Sequence, residues 1–593
     1  MSLASDLVQL ETADLVRRLE EAELTYQFRH ALTQDAAYAL LLKQDRMRLH
    51  RMIAQAYEMF YPDLLDEFAA VLAEHYAVAG VDAKAMEYSM RAGGVAGRVY
   101  AHTEALAHYT RALNFARRDP EANSQLLCDL LLRRGRMLEL SSQFKAALEH
   151  YEEMQALAQT RGDRALELAA LAARCQIRCT PNSEFNPDLG EELAKRTAAL
   201  ARDLGDRPVE AKIYWDLLNA YRLTNRLAQA LEAGEQSIAI SRELNLREQL
   251  AFSLNDISHV YMFSGDFDRS RMTVEEATRL WRELDNLPML ADSLATLAQY
   301  GSFSGDYGDA LELGTEALKI SRSIANLWGQ TYSLSAVGLV YWALGDPGRA
   351  IATMEETLRL SDLSGYLIPQ ELTRADLAVV YARLGDTVRA VGLAERALEF
   401  AEASYAALSP YAAGALVQTL LLDGKINQAA ERLKPYEGNE RNYTPFFAVY
   451  ITFGQLHLAI AQNDYARVLK LAPEILSKLY AFGLRAYIPE VLCILAQAQR
   501  ALGHTKAAGE TLSQAQAEAE ALGARWDLWQ ILAALAGIET ARGNMRAADT
   551  CRDQARQIIA DIAGHLPVSS LCESFLSTAQ VRLVVEEGKY VGT

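Results

Sequence analysis

Few residues of this chain stand at spacings that could do chemistry. Cys175 and Cys179 are four positions apart, which places both thiols on one face of a helix, as two metal ligands would lie. No further Cys or His follows at a supporting spacing, so the pair is better explained as two buried small side chains. The ten histidines form no H-E-x-x-H pair or triad, and no G-x-S-x-G turn occurs. The residues therefore predict no catalytic centre, no metal and no cofactor, and hence no enzyme.

Gly-Asp pairs are the second chemical candidate, because such turns can hold phosphates or a catalytic acid. They recur at Gly265, Gly305, Gly345 and Gly385. A phosphate-binding loop of the form G-x-x-x-x-G-K-[ST] occurs nowhere, and the stretch LLLDGKINQ (420–428) has a single Gly before its Lys. Without such a loop there is no row of backbone amides to cradle phosphates. The spacing of forty residues points instead to a structural repeat.

The repeat unit is predicted to be a helical hairpin. An amphipathic first helix (helix A) ends at the Gly in a left-handed conformation, and the following Asp caps the second helix (helix B). Small residues five and twelve positions after the Gly would let the two helices approach closely. The turn marker continues at Asn225, Gly424, Asn463, Gly503 and Gly543. At the four Gly-Asp pairs, the residues five positions after the Gly are Ser270, Ala310, Ala350 and Ala390, and those twelve positions after it are Ala277, Ala317, Thr357 and Ala397. Nine such units predict an all-α fold, an α–α superhelix in which each hairpin is covered by its neighbours.

One unit carries a recognisable family pattern, in the residues Val337, Gly338, Tyr341, Gly345, Ala350 and Thr357. This order of aliphatic, small, aromatic and turn residues resembles the tetratricopeptide repeat. The usual repeat has about 34 residues, so the longer unit here resembles the repeats of maltose-type transcriptional activators and related bacterial signalling ATPases.

The N-terminal stretch YQFRHALTQDAAYALLLKQDRMRLHRMIAQAYE (26–58) carries a second resemblance. It is similar to the segment that follows the nucleotide-binding core of multidomain signal-transduction ATPases, where a winged-helix-like domain leads through an arm into a tetratricopeptide solenoid. The resemblance makes Arg29 and His30 candidates for an interface with an ATPase domain, in cis or in trans. The alternative is that both side chains pack and form hydrogen bonds inside the arm. The phosphate-binding loop of that domain is missing, so the chain resembles the C-terminal half of such a protein without its ATPase core.

The predicted organisation has five parts. Residues 1–60 form the winged-helix-like remnant and arm, 61–120 an irregular helical arm, 121–204 degenerate repeats, 205–562 the solenoid of nine units, and 563–593 a closing helix and tail.

The surface predicted to bind a ligand is the concave one, lined by helix A. Positions 13, 10, 6 and 3 residues before each turn marker should face it, and their mixture of aromatic, amide and cationic groups suits a peptide. The alternative for the aromatic members is packing between repeats. The candidate residues are Lys212, Trp215, Asn219, Arg222, Phe252, Asn255, His259, Met262, Asp292, Gln299, Tyr332, Ser335 and Trp342.

Charge and composition narrow the class of function. A net charge of −18 over 593 residues argues against direct nucleic-acid binding, which needs clustered Lys and Arg. Six scattered cysteines, an acidic N-terminus and no apolar run of membrane length predict a soluble cytoplasmic protein. The sequence therefore favours a non-catalytic scaffold or sensor that binds a protein or peptide, with a small-molecule inducer sensor as the alternative.

Overall fold

The computed structural model describes residues 3–19, 25–118, 123–404, 408–438 and 445–586. The chain divides into two compact units, Met1–Ala170 and Leu171–Thr593. Within the described residues, no helix combines the length and the hydropathy needed to cross a lipid bilayer.

Unit 1 opens with a β-hairpin between helices and continues as a series of packed helices. In the hairpin Val16 pairs with Phe28 and Leu19 with Thr25. Its elements are Leu3–Thr12 (α1), Val16–Leu19 (β1), Thr25–Phe28 (β2), Ala31–Leu40 (α2), Lys43–Phe60 (α3), the 3-10 turn Pro62–Leu64, Ala69–Val78 (α4), Asp82–Arg98 (α5), His102–Ala116 (α6), Ser124–Leu140 (α7) and Phe144–Arg161 (α8). Helix Arg164–Cys179 (α9) contains the boundary between the units.

Unit 2 confirms the predicted all-α solenoid of helical hairpins. After Pro187–Leu204 (α10), the described residues form nine consecutive helix A and helix B pairs. These are Arg207–Leu223 (α11) with Leu227–Glu243 (α12), Arg247–Phe263 (α13) with Phe267–Glu283 (α14), Leu287–Ser304 (α15) with Tyr307–Ser323 (α16), Leu327–Ala343 (α17) with Pro347–Ser364 (α18), and Leu367–Arg383 (α19) with Thr387–Ser404 (α20). The remaining four are Ser409–Leu422 (α21) with Ile426–Leu433 (α22), Pro445–Ala461 (α23) with Tyr465–Ala481 (α24), Ile488–Ala501 (α25) with Thr505–Leu522 (α26), and Arg525–Ala541 (α27) with Met545–Gly564 (α28). Short 3-10 turns occupy Lys434–Tyr436 and Arg485–Tyr487, and Ser569–Ser577 (α29) and Ala579–Glu586 (α30) follow the last pair.

The turn marker behaves as predicted. Gly265 has φ 86° and Gly385 has φ 88°, in the left-handed region that only glycine enters without strain. Asp266 accepts a hydrogen bond from the backbone amide of Arg269 at 3.1 Å, so it caps helix B. Asp306 is the exception, because its carboxylate accepts from the Ser304 hydroxyl at 2.8 Å instead.

A second series of left-handed turns, which the sequence analysis missed, joins each helix B to the next helix A. It includes Asn245, Asp285 and Ala325, with φ of 52° to 54°. The next residue often caps the new helix, as Asn326 does by accepting from the amide of Gly329 at 3.1 Å. Both connections of a repeat therefore turn at a left-handed residue, and in several repeats the next side chain caps the helix that follows.

The predicted small residues lie at the tightest packing points. The eight residues five and twelve positions after the Gly-Asp markers are all 0% exposed. Larger side chains there would push the paired helices apart.

The later repeats of unit 2 pack back on the middle ones. One buried cluster joins Trp342, Ile351 and Tyr381 to Trp526 and Phe575, and we call this contact the return interface. At its edge, a methyl group added to Gly348 would collide with the backbone carbonyl of His565. Residues roughly 200 positions apart are thereby held together, so the solenoid is stabilised by more than its nearest-neighbour contacts.

Candidate ligand-binding face

Helix A side chains of the first repeats form a connected line of polar groups, the polar row, made of Trp215, Asn219, Arg222, Asn255, Asp256 and Asp292. Asp256 is its first anchor. One carboxylate oxygen of Asp256 accepts from the Trp215 indole nitrogen at 2.6 Å and from the Asn219 side-chain amide at 2.9 Å. The Asn219 oxygen in turn accepts from Arg222 Nη2 at 2.8 Å. The guanidinium of Arg222 is thus held in place from the neighbouring repeat.

The second half of the polar row repeats this arrangement one unit further on. The Asn255 amide donates to Asp292 Oδ2 at 2.8 Å, and the Ser293 hydroxyl donates to the Asn255 oxygen at 2.6 Å. Burial, and next the nearby charge of Asp256, raise the pKa of Asp292 to about 7, against the opposing hydrogen bond from Asn255 and the positive charge of Arg222. This carboxyl therefore titrates near neutral pH.

His259 faces the same surface and is held neutral. Burial, and then the positive charge of Arg222, lower the pKa of this imidazole to about 3. The neutral ring can accept as well as donate a hydrogen bond. Around these residues Arg222 supplies a fixed cation and His259 an uncharged polar group.

The third and fourth repeats contribute fewer free groups. The Tyr332 hydroxyl lies 3.1 Å from the Thr296 hydroxyl and donates to the Gln299 side-chain oxygen at 3.3 Å. The Ser335 hydroxyl donates to its own helix, to the Tyr332 carbonyl at 2.8 Å. Trp342 belongs to the return interface, where its ring centroid lies 3.7 Å from that of Trp526.

None of the thirteen predicted groove residues is fully exposed, and they divide by burial into two groups. Residues of the first group are half-buried: Lys212, Arg222, Phe252, His259, Gln299 and Ser335. Those of the second are buried: Trp215, Asn219, Asn255, Met262, Asp292, Tyr332 and Trp342. Phe252 touches the rings of Trp215 and Trp281, at centroid distances of 5.4 and 4.8 Å, so it also packs between repeats.

The residues predicted to meet an ATPase domain lie in unit 1. Arg29 and His30 are exposed and follow directly after β2. The Arg29 Nε forms an ion pair with Asp14 Oδ1 at 3.0 Å. Both side chains are therefore available at the surface of this unit.

Asp256 is the residue that sequence reasoning missed. It lies nine positions before its turn marker, and Asp also occupies this position at Asp216 and Asp376. Asp216 and Asp376 are buried, and Asp376 accepts from the hydroxyls of Tyr411 at 2.5 Å and Tyr450 at 2.6 Å. A recurring acid beside the aliphatic position of helix A was the signal that could have identified this anchor.

The cysteine pair is buried in unit 2. The sulfurs of Cys175 and Cys179 are 3.8 Å apart and pack against Ala172, Ala194 and Ile213. The hydrogen bond between the Cys175 and Cys179 thiols, together with burial, raises the pKa of the Cys175 thiol well above its usual range. Among the described residues, no group of three or more His, Cys, Asp or Glu side chains is placed to hold a metal ion.

Comparison with known proteins locates the repeat family in part of the chain. A family model for the tetratricopeptide repeat matches residues 249–323. No curated protein sequence matches.

Several solved structures resemble the chain at low identity. The Cut9–Hcn1 hetero-tetramer of the APC/C is 15% identical with a TM-score of 0.38, over 94% of this chain and 99% of that one. A Rap protein complexed with competence and sporulation factor is 13% identical with a TM-score of 0.37, over 74% of this chain and 98% of that one. A signal transduction ATPase with a tetratricopeptide repeat sensor, from Pyrococcus horikoshii, is 16% identical with a TM-score of 0.35, over 61% of this chain and 54% of that one.

Proposed function

We propose that this protein is a non-catalytic scaffold that binds a peptide or an extended protein segment along helix A of its first repeats. The polar row is the observation that carries the proposal. It holds Arg222 through the hydrogen bond from Nη2 to Asn219 and leaves this guanidinium half-buried. A preorganised donor of this kind suits a carbonyl or carboxylate of a bound chain, because little side-chain entropy remains to be lost on binding.

The first test selects peptides from a random display library against the full chain and measures their affinity for variants. Arg222→Ala should lower the affinity for the selected peptides by about tenfold or more, which corresponds to the loss of one hydrogen bond to a charged group. Arg279→Ala is the matched control, since Arg279 is exposed on helix B of the next repeat. Equal affinities for the two variants would contradict binding at the polar row.

We propose further that unit 1 docks an ATPase domain, in cis or in trans, so that the scaffold regulates a signalling ATPase. The support is a set of large apolar side chains left exposed near Arg29 and His30 in the sequence: Leu32 (83%), Leu40 (85%) and Leu42 (73%). Surfaces of this kind mark interaction sites.

The test is co-purification of an ATP-hydrolysing protein with the chain from its native cells. Leu40→Asp should abolish that association, whereas Leu363→Asp, a change at a leucine 63% exposed in unit 2, should preserve it. Retention of the ATPase activity by both variants would refute docking on this surface.

A further inference from the structure

A cavity lies inside unit 2, between helices A of the middle repeats and helices A of the later ones. Its volume is about 90 Å³. One water molecule needs about 10–15 Å³ on this measure, so the space admits a small organic molecule. The aromatic residues of its wall include Phe303, Tyr307, Trp342, Phe453, Tyr487 and Trp526.

Two of the charged groups in the wall neutralise each other. Arg383 Nη2 lies 2.5 Å from Glu490 Oε1, and His457 Nε2 lies 3.0 Å from the same oxygen. Burial alone would raise the pKa of Glu490, but the charge of Arg383 and the hydrogen bond from His457 outweigh it and bring the value to about 2. Glu490 is therefore ionised and paired.

A third acid of the wall, Asp376, already has donors. It accepts from both Tyr411 and Tyr450. Its hydrogen-bonding capacity is largely used within the protein.

Asp527 is the acid that remains. Its carboxylate lines the cavity, and no described residue donates a hydrogen bond to it or forms an ion pair with it. Burial, and next the charge of Glu490, raise the pKa of Asp527 to about 7, against the opposing charge of Arg383, which is already paired with Glu490. A cation in the cavity would relieve this cost, because an opposite charge favours the ionised carboxylate.

The indole N–H of Trp526, next along the chain, is a second group without a partner. Trp526 is 3% exposed and lines the cavity, and its Nε1 has no acceptor among the described residues. A buried donor left without an acceptor costs about 1–3 kcal/mol, so an oxygen acceptor supplied by a bound molecule would be favourable. The cavity thus lacks one positive charge and one acceptor.

From this arrangement we infer that the cavity binds a small organic ammonium compound bearing a hydroxyl or carbonyl oxygen. The ammonium group lies against the Asp527 carboxylate and the faces of the aromatic rings, which attract cations through their quadrupoles. The oxygen accepts from the Trp526 indole. A metal ion is a poorer occupant, since the described residues offer no cluster of three ligands and the wall is largely aromatic. This site goes beyond peptide binding at the polar row and does not depend on it.

The test is titration calorimetry of the full chain with choline, ethanolamine and 3,3-dimethylbutan-1-ol, the last being choline with a neutral carbon in place of nitrogen. Binding of choline or ethanolamine with a Kd below about 1 mM, and no binding of the neutral alcohol, is expected. Failure of both amines to bind, or equal binding of choline and the neutral alcohol, would overturn the inference.

Variants then assign the two contacts. Asp527→Asn should weaken the affinity for the amine, whichever of the two binds, by about tenfold to a hundredfold. Asp268→Asn, a change at an exposed acid of helix B, should leave this affinity unchanged. Trp526→Phe keeps an aromatic ring and removes the N–H. It should therefore lower the affinity for the same amine and leave the affinity for tetramethylammonium, which has no oxygen, unchanged. Because this second variant keeps the bulk of the ring wall, it tests the site even if Asp527→Asn fails to fold, and unchanged affinity for the amine would contradict the assigned contact.

Discussion

Gly308 and Gly348 hold the same position in consecutive repeats but differ in their surroundings. Each is the second residue of its helix B, α16 and α18. A methyl group at Gly308 would have nothing within 4 Å, whereas one at Gly348 would collide with the His565 carbonyl of the later repeats. The same substitution at both sites therefore isolates the contact between middle and later repeats.

A change from glycine to alanine can affect the stability of the protein in two ways, which have opposite signs. Alanine is favoured over glycine in a helix by about 0.5–1 kcal/mol, and this gain applies equally to Gly308→Ala and Gly348→Ala. Overpacking costs about 1–3 kcal/mol and applies only to Gly348→Ala, where the obstacle is backbone and cannot rotate away. We expect Gly308→Ala to be neutral or stabilising, and Gly348→Ala to be less stable than it by about 1–3 kcal/mol.

Urea unfolding gives the first readout, and hydrogen exchange gives the local one, because repeat arrays need not unfold in two states. The amides of His565 and Leu566 donate to the carbonyls of Ile562 and Ala563. Their exchange should accelerate in Gly348→Ala and stay unchanged in Gly308→Ala. Equal stability and equal exchange in the two variants would refute the packing of the later repeats on the middle ones.

Three further changes test other parts of the molecule. The pKa of Asp292 is raised from 3.8 to about 7, so this carboxyl lowers the stability of the fold as pH rises from about 4 to 7. The urea midpoint of unfolding should therefore decrease between pH 5 and pH 8, and it should decrease less in Asp292→Asn. The same decrease in both proteins would contradict the burial of this carboxyl. Asp256→Ala should destabilise unit 2 by about 2–4 kcal/mol in urea unfolding, because the Trp215 indole and a second donor lose their acceptor; a loss below about 0.5 kcal/mol would contradict this role. Cys175 and Cys179 should resist iodoacetamide at pH 8 in the native protein and react in urea, as mass spectrometry would show, and native labelling would disprove their burial.

Local features of the fold followed from the sequence because each repeat encodes its own hairpin. The glycine at 265, the aspartate that caps the next helix and the small residues Ser270 and Ala277 act within one unit, over fewer than twenty residues. The Gly-Asp pair is thus a helix-ending turn, as the repeat analysis predicted. The left-handed residues between repeats were missed because the residue type varies there, with glycine at Gly365 and Gly523 but alanine at Ala325.

The return interface could not be predicted in the same way. It depends on small rotations that accumulate over several repeats, which no single motif encodes. Trp342 and Trp526, whose rings are in contact, are 184 positions apart in the sequence. Trp342 was accordingly expected to face a groove, and the structure places it at a cavity wall. That it binds a ligand there stays a prediction.

Binding of a ligand along helix A of the first repeats is the function that we propose for this protein. Hydrogen exchange of the full chain, with and without the tightest library-selected peptide, tests it most directly. Protection on binding should appear in α11 and α13, where Arg222 and His259 lie, and the Arg222→Ala variant should lose it. Protection confined to helices B, such as α12 and α14, would contradict the claim.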